Sequence, residues 1–395
     1  MSAAVKPAKG TSAGGAKNLF GLRTFLGRHQ SLSILVIVCL IAIALPLIAI
    51  LPPFNGFGKQ NDWVAGFAQA GVFVLLALGL NVVVGFAGLL DLGYAAFFAI
   101  GAYTFAYAAS GFTGLDLPFW PMLLVGAITA AVFGVLLGAP TLRLRGDYLA
   151  IVTLGFGEIV PVVFLNADKY TNGPNGITGI SQPSWYGLFG INGFGFTNPW
   201  PYYITILMII TVVVMLLYRL QDSRLGRAWV ALREDELAAA SMGINTVTTK
   251  LLAFAIGAST AGLAGVYYSA KLGSVTPDQF KFDVSFTALA MVVLGGMGNI
   301  WGVAAGALIV YELQSQGLKQ LDAFIKALHL PAIGPIDPSG INFLNLQYLL
   351  YGLALVLMML LRPEGLFPSR RRRRELHEEP AEDEMTAPDP TGERA

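Results

Sequence analysis

Residues 284–312 read VSFTALAMVVLGGMGNIWGVAAGALIVYE, with no base and a single acid, Glu312, at the very end. A bilayer crossing takes about 20 apolar residues, so this run is too long for one ordinary span. Its centre, Gly295-Gly296-Met297-Gly298-Asn299, is a poor helix interior. Each glycine there costs roughly 1 kcal/mol against alanine. The expectation is a pair of helices broken at those glycines. Length favours two crossings over a re-entrant hairpin.

Similar runs lie on both sides, at about 33–52, 65–90, 92–111, 119–140, 147–165, 201–218, 251–270 and 344–361. The 395 residues are 55% hydrophobic and 12% charged. A soluble domain carries about 25% charged residues. Mean hydropathy is +0.64. Lipid is therefore the solvent for most of the chain. Helices satisfy their backbone groups internally, and few stretches alternate as strands do. The fold class is all-α, a polytopic integral membrane helical bundle.

Charge sets the count. Lys6, Lys9, Lys17, Arg23 and Arg28 precede the first run with no acid among them. Arg362 and the block Arg370–Arg374 follow the last. Both ends should stay in the cytoplasm, which requires an even number of crossings. Splitting 284–312 in two gives about ten. The inside segments then hold 19 Lys/Arg and the outside segments 6. A re-entrant pair keeps the same parity. The first run lacks a small-x-small cleavage site at Leu51-Pro52-Pro53, so it reads as a retained anchor.

Residues 1–32 form a mobile basic N-tail that can touch anionic lipid. Residues 33–367 form the transmembrane domain. Residues 368–395 carry eight acids from Glu375 on and read as a disordered cytoplasmic tail. The segment 313–343 carries Leu318, Leu321, Ile325 and Leu328 at the spacing of a surface helix. The loop at 166–200 is either an interfacial aromatic belt or a docking surface for an external partner. The inside loop at about 219–250 mixes arginines, acids and helix-forming residues before Gly243, a natural terminator. It is either an ordinary connector or a handle on which a cytoplasmic partner pushes.

Net charge +1 gives no sign of a nucleic-acid partner, and one cysteine, Cys39, forms no internal disulfide. His29, His329 and His377 lie outside the apolar runs, so no intramembrane metal site is expected. An ionisable group at the centre of a membrane helix costs roughly 3 kcal/mol, which makes Glu158 the first candidate for a substrate pathway. It either meets a substrate ammonium or holds its helix to a neighbour. Asp91 caps a helix or contacts substrate. Asn81 bridges helices or lines the path. Thr153 and Asn175 complete the pathway set. Gly155, Gly157, Gly295, Gly296 and Gly298 allow flexing, or simply close packing. An intramembrane enzyme would need paired reacting groups that these runs do not offer. A secondary transporter would show two matching halves.

Six stretches together resemble the LivM-type permease subunits of branched-chain amino acid ABC importers. They are Gly79–Tyr103 (GLNVVVGFAGLLDLGYAAFFAIGAY), Gly146–Val160 (GDYLAIVTLGFGEIV), Thr171–Ile177, the stretch from Gly226-Arg227-Ala228-Trp229 to Gly243-Ile244-Asn245, Val293–Gly302, and Arg362–Leu366. They fall within residues 65–367. The fourth is similar to the family's coupling loop, whose usual pattern is Glu-Ala-Ala, three residues, then Gly. Ala238, Ala239 and Gly243 fit; Leu237 stands in the place of the Glu, and Glu236 comes one position early. The resemblance implies that Arg227, Arg233, Glu234, Asp235, Glu236, Ala238, Ala239 and Gly243 face an ATPase. The chain has no G-x4-G-K phosphate loop, so ATP belongs on partner subunits and none of it, nor any other cofactor, on this chain. The implied partners are two ATP-binding subunits, a second permease subunit as a heterodimer, and an extracytoplasmic substrate-binding protein. Within the family the substrate is a branched-chain amino acid or another small polar solute such as urea or an amide.

Overall fold

The computed structural model describes residues 60–141, 147–184 and 198–317, with Ala44, Phe194, Leu349, Gly352, Leu353, Val356, Leu357, Leu360, Leu361 and 365–367. Both tails, the run 33–52 apart from Ala44, and the segment 318–343 lie outside the described residues, as does most of the last run.

Among the described residues ten α-helices run six residues or longer. They are α1 (Gln60–Leu80), α2 (Ala95–Ala108), α3 (Phe119–Thr141), α4 (Asp147–Asn166), α5 (Trp200–Gln221), α6 (Arg224–Glu234), α7 (Glu236–Ser241), α8 (Thr246–Leu272), α9 (Phe282–Gly295) and α10 (Ile300–Glu312). Helix α1 runs on through a π-turn, Asn81–Phe86. Among the described residues five helices are long and apolar enough to cross a membrane: α1 with its π-turn, α3, α4, α5 and α8. The expected all-helical membrane bundle is present. The one sheet among the described residues pairs β1 (Ile177–Thr178) with β2 (Ser274–Val275), antiparallel.

Helix α8 is the hub, packed on α3, α2 and α1. Small residues make this closeness: a β-carbon on Gly101 would strike the Gly262 backbone, and one on Gly262 the Gly126 backbone. Membrane helices lack a hydrophobic drive toward each other, so such backbone approach supplies the packing. The Tyr94 hydroxyl adds a polar tie, donating to the Gly257 carbonyl at 2.7 Å. Helix α4 differs. Its stripe Ala150, Thr153, Gly157 and Pro161 is buried, whereas Ile151, Glu158, Ile159, Val162, Val163 and Leu165 are exposed.

The run 284–312 does break at its glycines. Gly296 and Gly298 take φ of 109° and 83°, which side chains with a β-carbon rarely adopt. Asn299 then caps α10, accepting from Trp301 N at 3.2 Å. A β-carbon on Gly295 would lie 2.6 Å from Gly302 O, so the two arms pack backbone to backbone. Residues 366 and 367 close the turn: Leu366 N donates to Leu294 O at 2.8 Å, and Asn299 Nδ2 to Phe367 O at 2.9 Å.

Candidate translocation and coupling sites

The 219–250 loop holds two helices, α6 and α7. Ser223 caps α6 by accepting from Gly226 N at 3.2 Å. The chain becomes extended at Asp235 (φ −153°), whose Oδ1 accepts from Leu237 N at 2.8 Å and Ala238 N at 3.0 Å. An acid that caps the second helix is thereby spent as a local fastener. Gly243 (φ 83°) ends the element as read. Glu236 does not face outward alone: it pairs with the buried Lys250 at 2.6 Å. Arg227 is exposed and donates to Asp222 O at 2.8 Å. Glu234 and Ala238 are exposed, and Ala239 is buried.

Trp229 anchors this element. It is 0% exposed, and its indole donates to Thr249 O at 2.8 Å. A tryptophan amid charges was the signal for it in the sequence. By contrast, Leu237 and Met242 are 65% and 84% exposed. Two large apolar side chains held in the open on a rigid turn suit a docking surface. Trp229→Ala is expected to cost about 3–5 kcal/mol of local stability. Tryptic cleavage at Arg224 and Arg227 should accelerate several-fold while α8 stays intact.

Asn81 and Gly298 meet: Asn81 is buried, and its Oδ1 accepts from Gly298 N at 2.8 Å. Asn81 Nδ2 has no partner among the described residues. Arg233 comes to the same place, donating to Gly85 O at 2.7 Å. Asp91 and Thr153 form a second group. Asp91 is 1% exposed, and its Oδ1 accepts from Gly93 N at 2.9 Å, ahead of α2. Thr153 Oγ1 accepts from Leu92 N at 3.1 Å. With Phe97, Leu137, Phe156 and Phe254 they line a small open cleft, with room for about one water molecule. Gly157 lets α4 approach here, since its β-carbon would lie 2.8 Å from Gly93 Cα. Gly155 faces open space. Ser285 is a residue the sequence reading missed: its hydroxyl accepts from Ala95 N at 2.8 Å and ties α9 to α2.

Glu158 stands apart from both groups. It sits about 17 Å along α4, near mid-helix, at the centre of the exposed stripe. Lys281 is held by Asp278 at 2.9 Å. Asn175 lies on an exposed turn, where its N–H donates to Asn172 O at 3.2 Å. That turn adjoins β1. Among the described residues no three His, Cys, Asp or Glu converge on a metal position.

A bundle of apolar helices broken at glycines, with a capped two-helix element packed on the hub helix, is the architecture of a membrane-embedded protein. Residues 63–359 match the family described as branched-chain amino acid transport system permease components, and the chain belongs to that family. It is 41% identical over 317 residues to the high-affinity branched-chain amino acid transport system permease protein LivM of Escherichia coli, covering 76% of this chain and 68% of that one. To the LivM protein of Salmonella typhimurium it is 40% identical over 349 residues, 84% and 75% of the two chains. A ribose import permease of Haemophilus influenzae is 28% identical over 274 residues, 67% and 80% of the two chains. No solved structure matches the chain.

Proposed function

We propose that this chain is one permease subunit of an ATP-driven importer of branched-chain amino acids in a bacterial inner membrane. Its membership of the permease family, at 41% identity to a LivM protein, carries this reading. Two ATP-binding subunits supply the energy, docking on Leu237, Ala238 and Met242. A second permease subunit completes the passage. An extracytoplasmic binding protein delivers substrate to the Asn175 loop. Both termini are cytoplasmic, with about ten crossings. The break at 295–299 reaches Arg233 of the cytoplasmic element, so the glycine-broken pair turns near the cytoplasmic face, although its arms of 14 and 13 residues are each shorter than an ordinary span. Co-purification with two ATPase subunits, and ATP-dependent uptake of labelled leucine in proteoliposomes with the binding protein, test the reading. Leucine uptake independent of ATP would sink it.

The exposed stripe of α4 lines the passage between the two permease subunits. A carboxylate on such a stripe is costly in lipid and cheap beside a wet path. Glu158 then meets the substrate ammonium at mid-membrane, and Asp91, Thr153 and Asn81 lie further along toward the ATPase side. Glu158→Gln removes the charge at almost constant volume. The initial uptake rate is expected to fall at least tenfold, with permease yield unchanged. Wild-type uptake in this variant would remove Glu158 from the pathway.

A further inference from the structure

Three elements distant in sequence converge on one spot. Arg233 closes α6, the first helix of the coupling element. Its guanidinium donates to Gly85 O inside the π-turn that ends α1, at 2.7 Å and 148 positions away in sequence. Its stem crosses Gly88, where a β-carbon would lie 2.7 Å from Arg233 Cγ. A β-carbon on Gly298, in the α9–α10 turn, would lie 3.6 Å from Arg233 Nη1 and 3.5 Å from Gly85 O. Asn81 then joins the π-turn to that same turn through Gly298 N at 2.8 Å.

A π-turn is a helix carrying one residue too many, and such turns gather at functional sites. Here it directs the Gly85 carbonyl to an arginine instead of leaving it wholly within the helix. Arg233 therefore attaches the first membrane discontinuity, 81–88, to the coupling element, and Asn81 attaches the second, 295–299, to the first. Arginine suits the post because its planar fork is rigid and always charged.

We propose that Arg233 is the positioning residue that transmits the ATPase stroke from the coupling element to the broken ends of α1 and of the α9–α10 pair. This rests on the permease reading above. When α6 moves, the Gly85 carbonyl and, through Asn81, the Gly298 turn move with it.

The test uses the complete importer in proteoliposomes, measuring leucine taken up per ATP hydrolysed. Wild-type complex that hydrolyses ATP without driving uptake would defeat the permease reading itself. With wild type coupled, R233A is expected to assemble and hydrolyse ATP, while uptake per ATP falls at least tenfold. N81A is expected to do the same in smaller measure. The double variant should lose no more than R233A alone, because both residues lie on one route; independent residues would multiply their losses. Uptake per ATP unchanged in R233A, or multiplied losses in the double variant, overturns the proposal. Should R233A fail to assemble, R233K decides. It keeps the charge without the fork, and wild-type uptake per ATP in R233K would overturn the role.

Discussion

Combining Leu237→Glu with Met242→Glu is expected to cut ATP-driven uptake at least 100-fold while leaving the permease folded. Both side chains stand in the open at one end of the bundle, at 65% and 84% exposure, so their loss removes little from the fold. Burying each against an ATPase subunit is worth about 1.5–3 kcal/mol. Two such anchors give roughly 3–6 kcal/mol, or about 10² to 10⁴ in affinity at tenfold per 1.4 kcal/mol. The caps that shape the element, Ser223 and Asp235, are untouched. Co-purification of the ATPase subunits and uptake in proteoliposomes measure the effect. Retained ATPase binding would move the docking surface elsewhere.

Gly262→Leu should prevent accumulation of folded permease. The new side chain would have to enter where α8 meets the backbones of α3 and α2, and a main chain cannot step aside as a side-chain tip can. Gly262→Ala is the graded form. It is expected to cost about 1–3 kcal/mol through overpacking. At about 2–4 °C per kcal/mol, the melting temperature in detergent should drop by roughly 2–12 °C. A Gly262→Leu protein that melts with wild type would show that the three helices are not seated on this residue.

The sequence made the long helices plain because a membrane span is bounded by a change of solvent. The run read at 119–140 became Phe119–Thr141, and that at 147–165 became Asp147–Asn166. The glycine break at 295–299 was equally legible, since two residues with positive φ announce themselves as glycine. The kink at Asp235 was not. Helix propensity across 222–245 is continuous, and only the capping geometry shows the chain turning there. Sites were harder still. Arg233 meeting Gly85, and Ser285 meeting Ala95, depend on pairings 148 and 190 positions apart that no local pattern encodes. Glu158 was picked out by cost alone, and only the exposed stripe around it separates a passage-facing carboxylate from one that braces a helix.

Helix α4 leaves this chain unfinished. A subunit newly inserted and still solitary would hold Glu158 against hydrocarbon, a burden of roughly 3 kcal/mol that falls away only when a companion and its water arrive. On the proposed pairing of two permease chains, assembly becomes part of maturation, and a cell that makes one chain in excess would be left with a surplus suited to proteolytic clearance.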